Sequence, residues 1–424
     1  MKTNSTELSY LARKERVTKP RRDHLVLLAL ATFNLGIISV SAETTVEVVH
    51  YFNVEGQLQE LAQIQKDFEQ ANSDIKIKYT YVPFGELVSR TLQMAAVHKA
   101  PAIAVIDNPD VLRVAKSNIL KDISQEVTKL PIWNDLYPGP KKAVTSDGKA
   151  YGVPVGSNSL ALYYNKKMLS AAGVQPPNTW QQLSDVATKT AQSPVYGIAF
   201  SAVNTEESTW QWEPFLWSNG GSLRDLTSTS AVGALQLWVD LVSKGLASKD
   251  VLNWEQGDVA NQFTAGRAAT MVMGPWMLDA VKKSGIDFGI VPVPVPKEGA
   301  KPVVPLGGEC WCVLKGNSQV EAAAMKFVAF TEQPDRLRKI CDAFNYISSV
   351  QSVAKQQGES NPELNPFVEQ MDAAKARSED GGAKYPEISL ATRAAIQRAI
   401  SGQGSAEEAL QESAAKIKAI LSKN

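Results

Sequence analysis

The sequence predicts an α/β protein with mostly parallel central sheets covered by helices. Two observations carry this. Short apolar or alternating segments of strand length interleave with amphipathic segments of helical length from residue 45 onward. Their order at the start, strand–helix–strand–helix–strand, implies an open, largely parallel sheet with helices on both faces. At 424 residues the chain is also long enough to bury two domain cores.

The first 42 residues are expected to stand outside that fold. Seven basic and three acidic residues fill positions 1–23, and an apolar run from Leu25 to Val40 follows. Val40-Ser41-Ala42 then reads as a small-residue cleavage site, the pattern of a cleavable signal peptide. The run is short for a bilayer span and is broken by Asn34 and Gly36. Arg21-Arg22 is a weak twin-arginine feature, which leaves the export route open. No cysteine follows Ala42, so a soluble exported protein is expected rather than a lipid-anchored one.

Thr45–Phe52 reads as a buried strand, followed by Leu58, Leu61, Ile64, Phe68 and Ala71 at helical spacing. Ile75, Ile77, Tyr79 and Tyr81 alternate with other residues as in a strand with one covered face. A helix is expected over 84–98 and a short buried strand over Ile103–Ile106, ending at Asp107-Asn108. Ligands in such sheets sit beyond the carboxyl ends of the strands, which singles out Phe52–Gly56 and Asp107–Asp110. Pro176-Pro177 stops one element, and Thr179 with Gln182 forms a capping box for the next. A Trp-rich stretch from Trp210 to Gly221, a helix over 232–244 and an apolar strand over Ile290–Val295 come after it. Ser405 with Glu408 caps a last amphipathic helix carrying Leu410, Ile417 and Leu421.

Composition excludes several function classes. Beyond the leader the formal net charge is −4, without the basic face that nucleic acid requires. Only His50 and His98 remain there, too few for a histidine-based metal site, and no cofactor is expected. Cys310 and Cys312 are too close for an ordinary bridge on one strand. Cys341 would meet one of them or stay a buried free thiol.

Four segments, in order, resemble the extracellular solute-binding protein family 1, the maltose-binding-protein group of sugar-binding ABC importer components. They are GKAYGVPVGSNSLALYYNK (148–166), the Trp/Pro segment ending Asn219-Gly220-Gly221, FTAGRAATMVMGPW (263–276) and PLGGECW (305–311). The resemblance implies a periplasmic-binding-protein-like fold of two α/β lobes joined by a multi-crossing hinge. Lobe one would comprise 43–153 and 306–348, and lobe two 157–305 and 349–424. The crossings would lie near 153–159, 305–309 and 345–349. Relatives often carry Gly and Pro at the third crossing, where this chain has Asn345 and Ser348.

Sugars alternate polar edges with apolar C–H faces, so their sites pair aromatic platforms with hydroxyl-reading groups. The resemblance makes Trp276, after Gly274-Pro275, a residue that stacks on a sugar ring, and gives Trp210 a similar part. Trp212, Trp217 and Trp238 read as core, and Trp133, Trp180 and Trp254 carry no argument for a ligand. The resemblance also places cleft residues at Glu309 and Trp311, which share one strand face by the period of two, with Gly308 and its neighbour Gly307 allowing close approach. Asn158 and Ser159 follow the first crossing, Asp107 and Asn108 end a strand, and Asn53 and Glu55 follow the first strand. Capping of the helix beginning at Pro109 is the alternative role for Asp107 and Asn108. Ser389 stands where glycerol-phosphate-binding relatives carry an arginine, which removes a bidentate phosphate clamp unless Arg393 replaces it.

The expected function is capture of a neutral sugar, oligosaccharide or polyol by a monomeric periplasmic protein, for delivery to permease subunits with a cytoplasmic ATPase. Binding of glycerol 3-phosphate or a related phosphodiester is the alternative. A secreted carbohydrate-active enzyme is the rival from another class. It would need two carboxylates with separated pKa values; Glu309 and Asp107 could face each other, but neither has a visible partner to raise it.

Overall fold

The fold is that of a computed structural model, and the structure describes residues 43–422. The expected leader at 1–42, with its cleavage site and arginine pair, lies outside the described residues. Two sheets organise the rest. The first has the order Ile75–Tyr81, Thr44–His50, Ile103–Asp107, Glu309–Val313, Val153–Pro154. The second has the order Phe288–Val291, Ala161–Asn165, Ala268–Met273, Tyr196–Ala199.

The first three strands of the first sheet are parallel, as strand–helix–strand order requires. Glu309–Val313 then lies antiparallel to both its neighbours. In the second sheet only Tyr196–Ala199 and Ala268–Met273 run parallel. The sheets are therefore mixed, not mostly parallel. Strands that enter by a crossing from the other sheet, rather than through a right-handed helical connection, are free to run either way.

Burial follows the periodicities. Val46, Val48, Ile103 and Ile106 are fully buried, with Phe68, Trp311, Phe327 and Phe344 packed in the same core. On helix Glu55–Ala71 the inward residues are Leu61, Ile64 and Phe68, whereas Leu58 and Ala71 at the end turns are exposed. In the second sheet the alternation of strand side chains divides two cores. Leu160 and Leu162 join one with Phe200, Phe215 and Trp238, and Ala161 and Tyr163 join the other with Phe263 and Met271. Both faces of that sheet are thus covered, which is why its strands read as continuous apolar runs. Trp212, Trp217 and Trp238 are core residues, and the Trp-rich stretch is a helix, Glu206–Ser218. All three cysteines are buried free thiols, and Cys341 donates to the Val155 carbonyl at 3.7 Å.

Three extended segments meet between the sheets. Val155 N–H donates to the Glu309 carbonyl at 2.7 Å, and Asn158 and Gly307 exchange backbone hydrogen bonds at 3.1 and 2.8 Å. On its other side Ser157 exchanges bonds with Ile347 at 2.6 and 2.8 Å, and the Ser157 and Ser349 hydroxyls lie 2.8 Å apart. Asn345 takes the left-handed conformation (φ 52°) that ends helix Pro334–Phe344, one that asparagine tolerates better than most residues. It does there what a glycine would do. Among the described residues no helix is long and apolar enough to cross a membrane.

The two capping boxes form as the sequence predicts. Thr179 Oγ1 accepts from Gln182 N–H at 3.3 Å and Gln182 Oε1 accepts from Thr179 N–H at 3.2 Å. Ser405 and Glu408 make the same exchange at 3.1 and 2.9 Å. Thr179→Ala is expected to destabilise the protein by about 1 kcal/mol in urea unfolding. An unchanged midpoint would assign that helix start to packing alone.

Candidate functional site

A cavity of about 310 Å³ opens between the sheets, at the carboxyl ends of the first three strands. Tyr51, Phe52, Asn53, Gln57, Tyr81 and Phe84 line one side. Glu206, Glu207, Trp210, Glu255, Gln256 and Trp276 line the other. Asp107, Asn158, Gly307, Gly308, Glu309, Tyr346 and Arg377 complete it where the crossing segments meet.

Trp276 is half-buried and packs against all three main cores, so its indole is held at their junction. The strand Ala268–Met273 delivers it through Gly274-Pro275. A β-carbon on Gly274 would stand 1.8 Å from the indole Cζ3, so only glycine lets the ring fold over its own backbone. Gly307 plays a similar part, since a β-carbon there would meet Asn158 Oδ1 at 1.9 Å and the Trp210 ring at 2.6 Å. Trp210 reaches the cavity, yet the Arg377 guanidinium lies over its ring at 4.6 Å, so part of its π surface is already used.

Asp107 and Glu309 are direct cross-strand partners. Two carboxylates so placed share one sheet face at close range and repel. Asp107 has a cation: Arg377 Nη2 donates to it at 2.6 Å, while Nη1 donates to Glu206 at 2.9 Å. Glu309 has none. Its Oε1 accepts from the Tyr51 hydroxyl at 2.7 Å, and the Tyr346 phenol hydrogen-bonds the same buried carboxyl. The Tyr385 hydroxyl lies 2.6 Å from Glu206 and 2.9 Å from Glu213. One phenol proton serves only one of them. Desolvation, then the charge of Glu206, pushes buried Glu213 well above the carboxylate range.

The structure brings Trp276, Trp210, Glu309, Asn158, Asp107, Asn53 and Gly308 to one cavity. It does not bring Trp311, Ser159, Asn108 or Glu55. Trp311 does share a strand with Glu309, but the cavity lies only at the strand's end. Two residues further in, the indole is fully buried edge-on to Phe327 at 5.8 Å. Ser159 is fully buried, its hydroxyl unpartnered, outside the cavity lining. Asn108 supports the wall, donating to the Leu306 carbonyl at 3.2 Å and accepting from Arg377 at 3.4 Å. Glu55 is an exposed first-turn residue of its helix, and Gln57 faces the cavity in its place. Asp107 makes no side-chain capping bond to the helix that follows, Asn108–Lys116. Arg393 is not part of the cavity, and Ser389 donates to Glu206.

Tyr81 and Phe84 were within reach of the strand-end rule applied to Ile75–Tyr81. Arg377 gives no local signal, because a two-residue strand far along the chain carries it in. Among the described residues no group of His, Cys, Asp and Glu is arranged to hold a metal ion.

Burial decides the protonation of the cavity acids. Desolvation pushes Asp107 up to about 6 against the opposing pull of Arg377. Desolvation and then the Asp107 charge push Glu309 up to about 7, and desolvation does the same for Glu207. None of these raised values was visible in the sequence. A carboxyl raised in the fold holds a proton that the unfolded chain has lost, so it favours the fold below its ordinary value of 4.5 and that contribution disappears as pH rises through about 7. The ligand-free melting temperature is therefore expected to fall from about pH 5 to about pH 8. Glu309→Gln should flatten that fall, by at most about 3 kcal/mol in stability. Superimposable pH profiles for the two proteins would show that Glu309 ionises normally.

With this geometry in view, comparison with known proteins is informative. A putative binding protein of Brucella abortus is 23% identical over 415 residues, covering 94% of this chain and 98% of its own. A maltotriose-binding protein of Pyrococcus abyssi is 24% identical over 315 residues, 72% of this chain and 67% of its own. The maltose-bound MalE3 protein of T. maritima superposes with a TM-score of 0.82 at 23% identity, covering 89% of this chain and 100% of that one. At that identity the superposition speaks for the fold alone. The model of the bacterial extracellular solute-binding protein family matches residues 63–366, most of the chain, and the protein belongs to that family.

Proposed function

We propose that this protein is the exported binding component of an ABC importer and captures a neutral sugar, oligosaccharide or polyol. The observation that carries this is the composition of the cavity. Aromatic rings at Trp276, Tyr51, Tyr81 and Phe84 stand among the amides of Asn53, Gln57, Asn158 and Gln256 and several carboxylates. Rings cover apolar sugar faces, and amides and carboxylates read hydroxyls. Relatives named for maltotriose and maltooligosaccharide binding support the same ligand class. The partners would be permease subunits with a cytoplasmic ATPase, and the protein would act as a periplasmic monomer after signal-peptide cleavage.

The phosphorylated alternative is disfavoured on charge. The one guanidinium in the cavity wall is engaged by Asp107 and Glu206, and every other charged side chain there is an acid. The pair of acids that the sequence offered for chemistry does not fit it. Asp107 and Glu309 are neighbours on one wall instead of opposing groups with a sugar between them, as glycoside hydrolysis needs. The lobes would comprise 43–153 with 306–348 and 157–305 with 349–424, moving about the segments paired at Val155–Asn158, Gly307–Glu309 and Ile347. A ligand touching both sides favours the closed form by its differential affinity.

A thermal-shift panel of sugars and polyols, with glycerol 3-phosphate and maltose included, tests this reading. At least one saccharide should raise the melting temperature while glycerol 3-phosphate does not. Stabilisation by the phosphate ester alone would overturn it, as would conversion of a bound sugar to product. For the saccharide found, Trp276→Ala should weaken binding by about 1–3 kcal/mol. Gly274→Ala should weaken it comparably by displacing the indole, with both variants folded by circular dichroism. Unchanged affinity in both would remove Trp276 from the site.

A further inference from the structure

Within the carbohydrate-binding reading, on which the inference rests, we propose that Trp210 meets the ligand with its indole N–H and not with its ring face. Together with Asn158 it reads one sugar hydroxyl. The first ground is the exposure of the ring. Trp210 lines the cavity but is only 5% exposed. For an aromatic side chain of about 200 Å², that leaves about 10 Å² accessible, an edge and not a face. The Arg377 guanidinium already lies over the ring at 4.6 Å, so a stacking position is filled from within the protein. Trp276, by contrast, is half-buried and keeps surface for a sugar.

The second ground is the nitrogen itself. The indole nitrogens of Trp212, Trp238 and Trp311 are shut in the core without partners, and that of Trp217 donates to Asp380 at 3.1 Å. Trp210 Nε1 belongs to neither group: among the described residues it has no acceptor, yet it is not sealed off. The edge that reaches the cavity therefore carries a free donor. Asn158 adds a second. It is 7% exposed, lines the cavity, and its side-chain amide has no partner among the described residues. Asn158 Oδ1 and Trp210 Cη2 would stand 1.9 and 2.6 Å from the same β-carbon at Gly307, so the two polar edges are neighbours. Both are held in place, Asn158 by its two backbone bonds to Gly307 and Trp210 by helix Glu206–Ser218 and the arginine. A ligand that displaces water from these edges must supply an acceptor or leave a buried N–H unpaired, which costs more than the bond returns. Asp107, held by the same guanidinium through Oδ1, keeps Oδ2 without a partner among the described residues and can accept. A hydroxyl suits this set because it accepts from an N–H and donates to a carboxylate at once.

The test is calorimetry on the full protein with the saccharide that the thermal-shift panel identifies and its set of monodeoxy analogues. On the wild-type protein, removal of one particular hydroxyl should cost about tenfold or more in affinity. Trp210→Phe keeps a ring beside Arg377 and loses the N–H. In that variant the parent saccharide should bind about threefold to tenfold more weakly, and the penalty for that same hydroxyl should be at least about threefold smaller. If the sugar stacks on Trp210 instead, phenylalanine keeps most of the affinity and every deoxy penalty stays at its wild-type size. That outcome overturns the inference, as does weaker binding with no penalty reduced. If the phenylalanine variant does not fold, a benzothienyl group in place of the Trp210 indole keeps the two-ring outline without the N–H and decides the same comparison. The Trp210 indole N–H resonance, identified by its absence from either variant, gives a second readout. It should move downfield and resist exchange into deuterium oxide when the saccharide binds, and an unmoved, freely exchanging resonance would contradict the assignment. If the saccharide binds without either effect, the carbohydrate reading stands and only this role of Trp210 falls. If no saccharide binds, both fall.

Discussion

The antiparallel return of Glu309–Val313 onto Ile103–Asp107 is the contact from which the site follows. It brings a segment from more than 200 residues downstream into the middle of the first sheet and fixes its register. Once Cys310 is opposite Ile106, Glu309 must be opposite Asp107. The residues just before it, Gly307 and Gly308, must then pass beside Gly156–Asn158, where a side chain on either would strike neighbouring atoms. Cavity floor and lobe junction are therefore products of one strand pairing. A slip of one residue would turn both Glu309 and Trp311 to the opposite face and empty the floor of its acid.

The same pairing explains the electrical character of the cavity. Burial gives both acids a reason to hold a proton, the Asp107 charge adds to that of Glu309, and Arg377 pulls against it only at Asp107. Beside them Glu213, Tyr385, Glu206 and Arg377 form a chain of charge-compensated hydrogen bonds. Removing a member of such a chain strands a partner in the interior, so its value to the fold is specificity of arrangement more than net stabilisation.

The alternation of strands and helices, both capping boxes and the position of Asp107 were legible because each depends on local pattern or on strand ends, whereas Glu309 and Trp276 were legible through the family resemblance. Trp311 was misplaced because it shares a strand face with Glu309. Periodicity of two gives the face of a residue but not its depth along the strand, and the helix Ser318–Thr331 closes over the deeper position. Sheet direction was misread in the second half because crossings between sheets leave no periodic trace. Tyr346 and Arg377 arrive through long-range pairing, which one sequence does not encode in any neighbouring residue.

Arg377 also shows why a residue type in a cavity wall is weaker evidence than its partners. An arginine among aromatic rings would ordinarily suggest capture of phosphate or carboxylate. Here the planar fork is committed in both directions, to Asp107 and to Glu206, and its face is laid on Trp210. Its remaining buried Nε has no partner, but a phosphate approaching it would have to pass acids that already saturate the guanidinium. To bind an anion the cavity would first have to break two short charge-assisted bonds and leave two carboxylates uncompensated, a loss larger than one phosphate contact returns. The serine at position 389 adds to this, since its hydroxyl donates to Glu206 and so secures the acid that holds the arginine. The arginine is thus part of the wall, and the ligand meets the acids that remain.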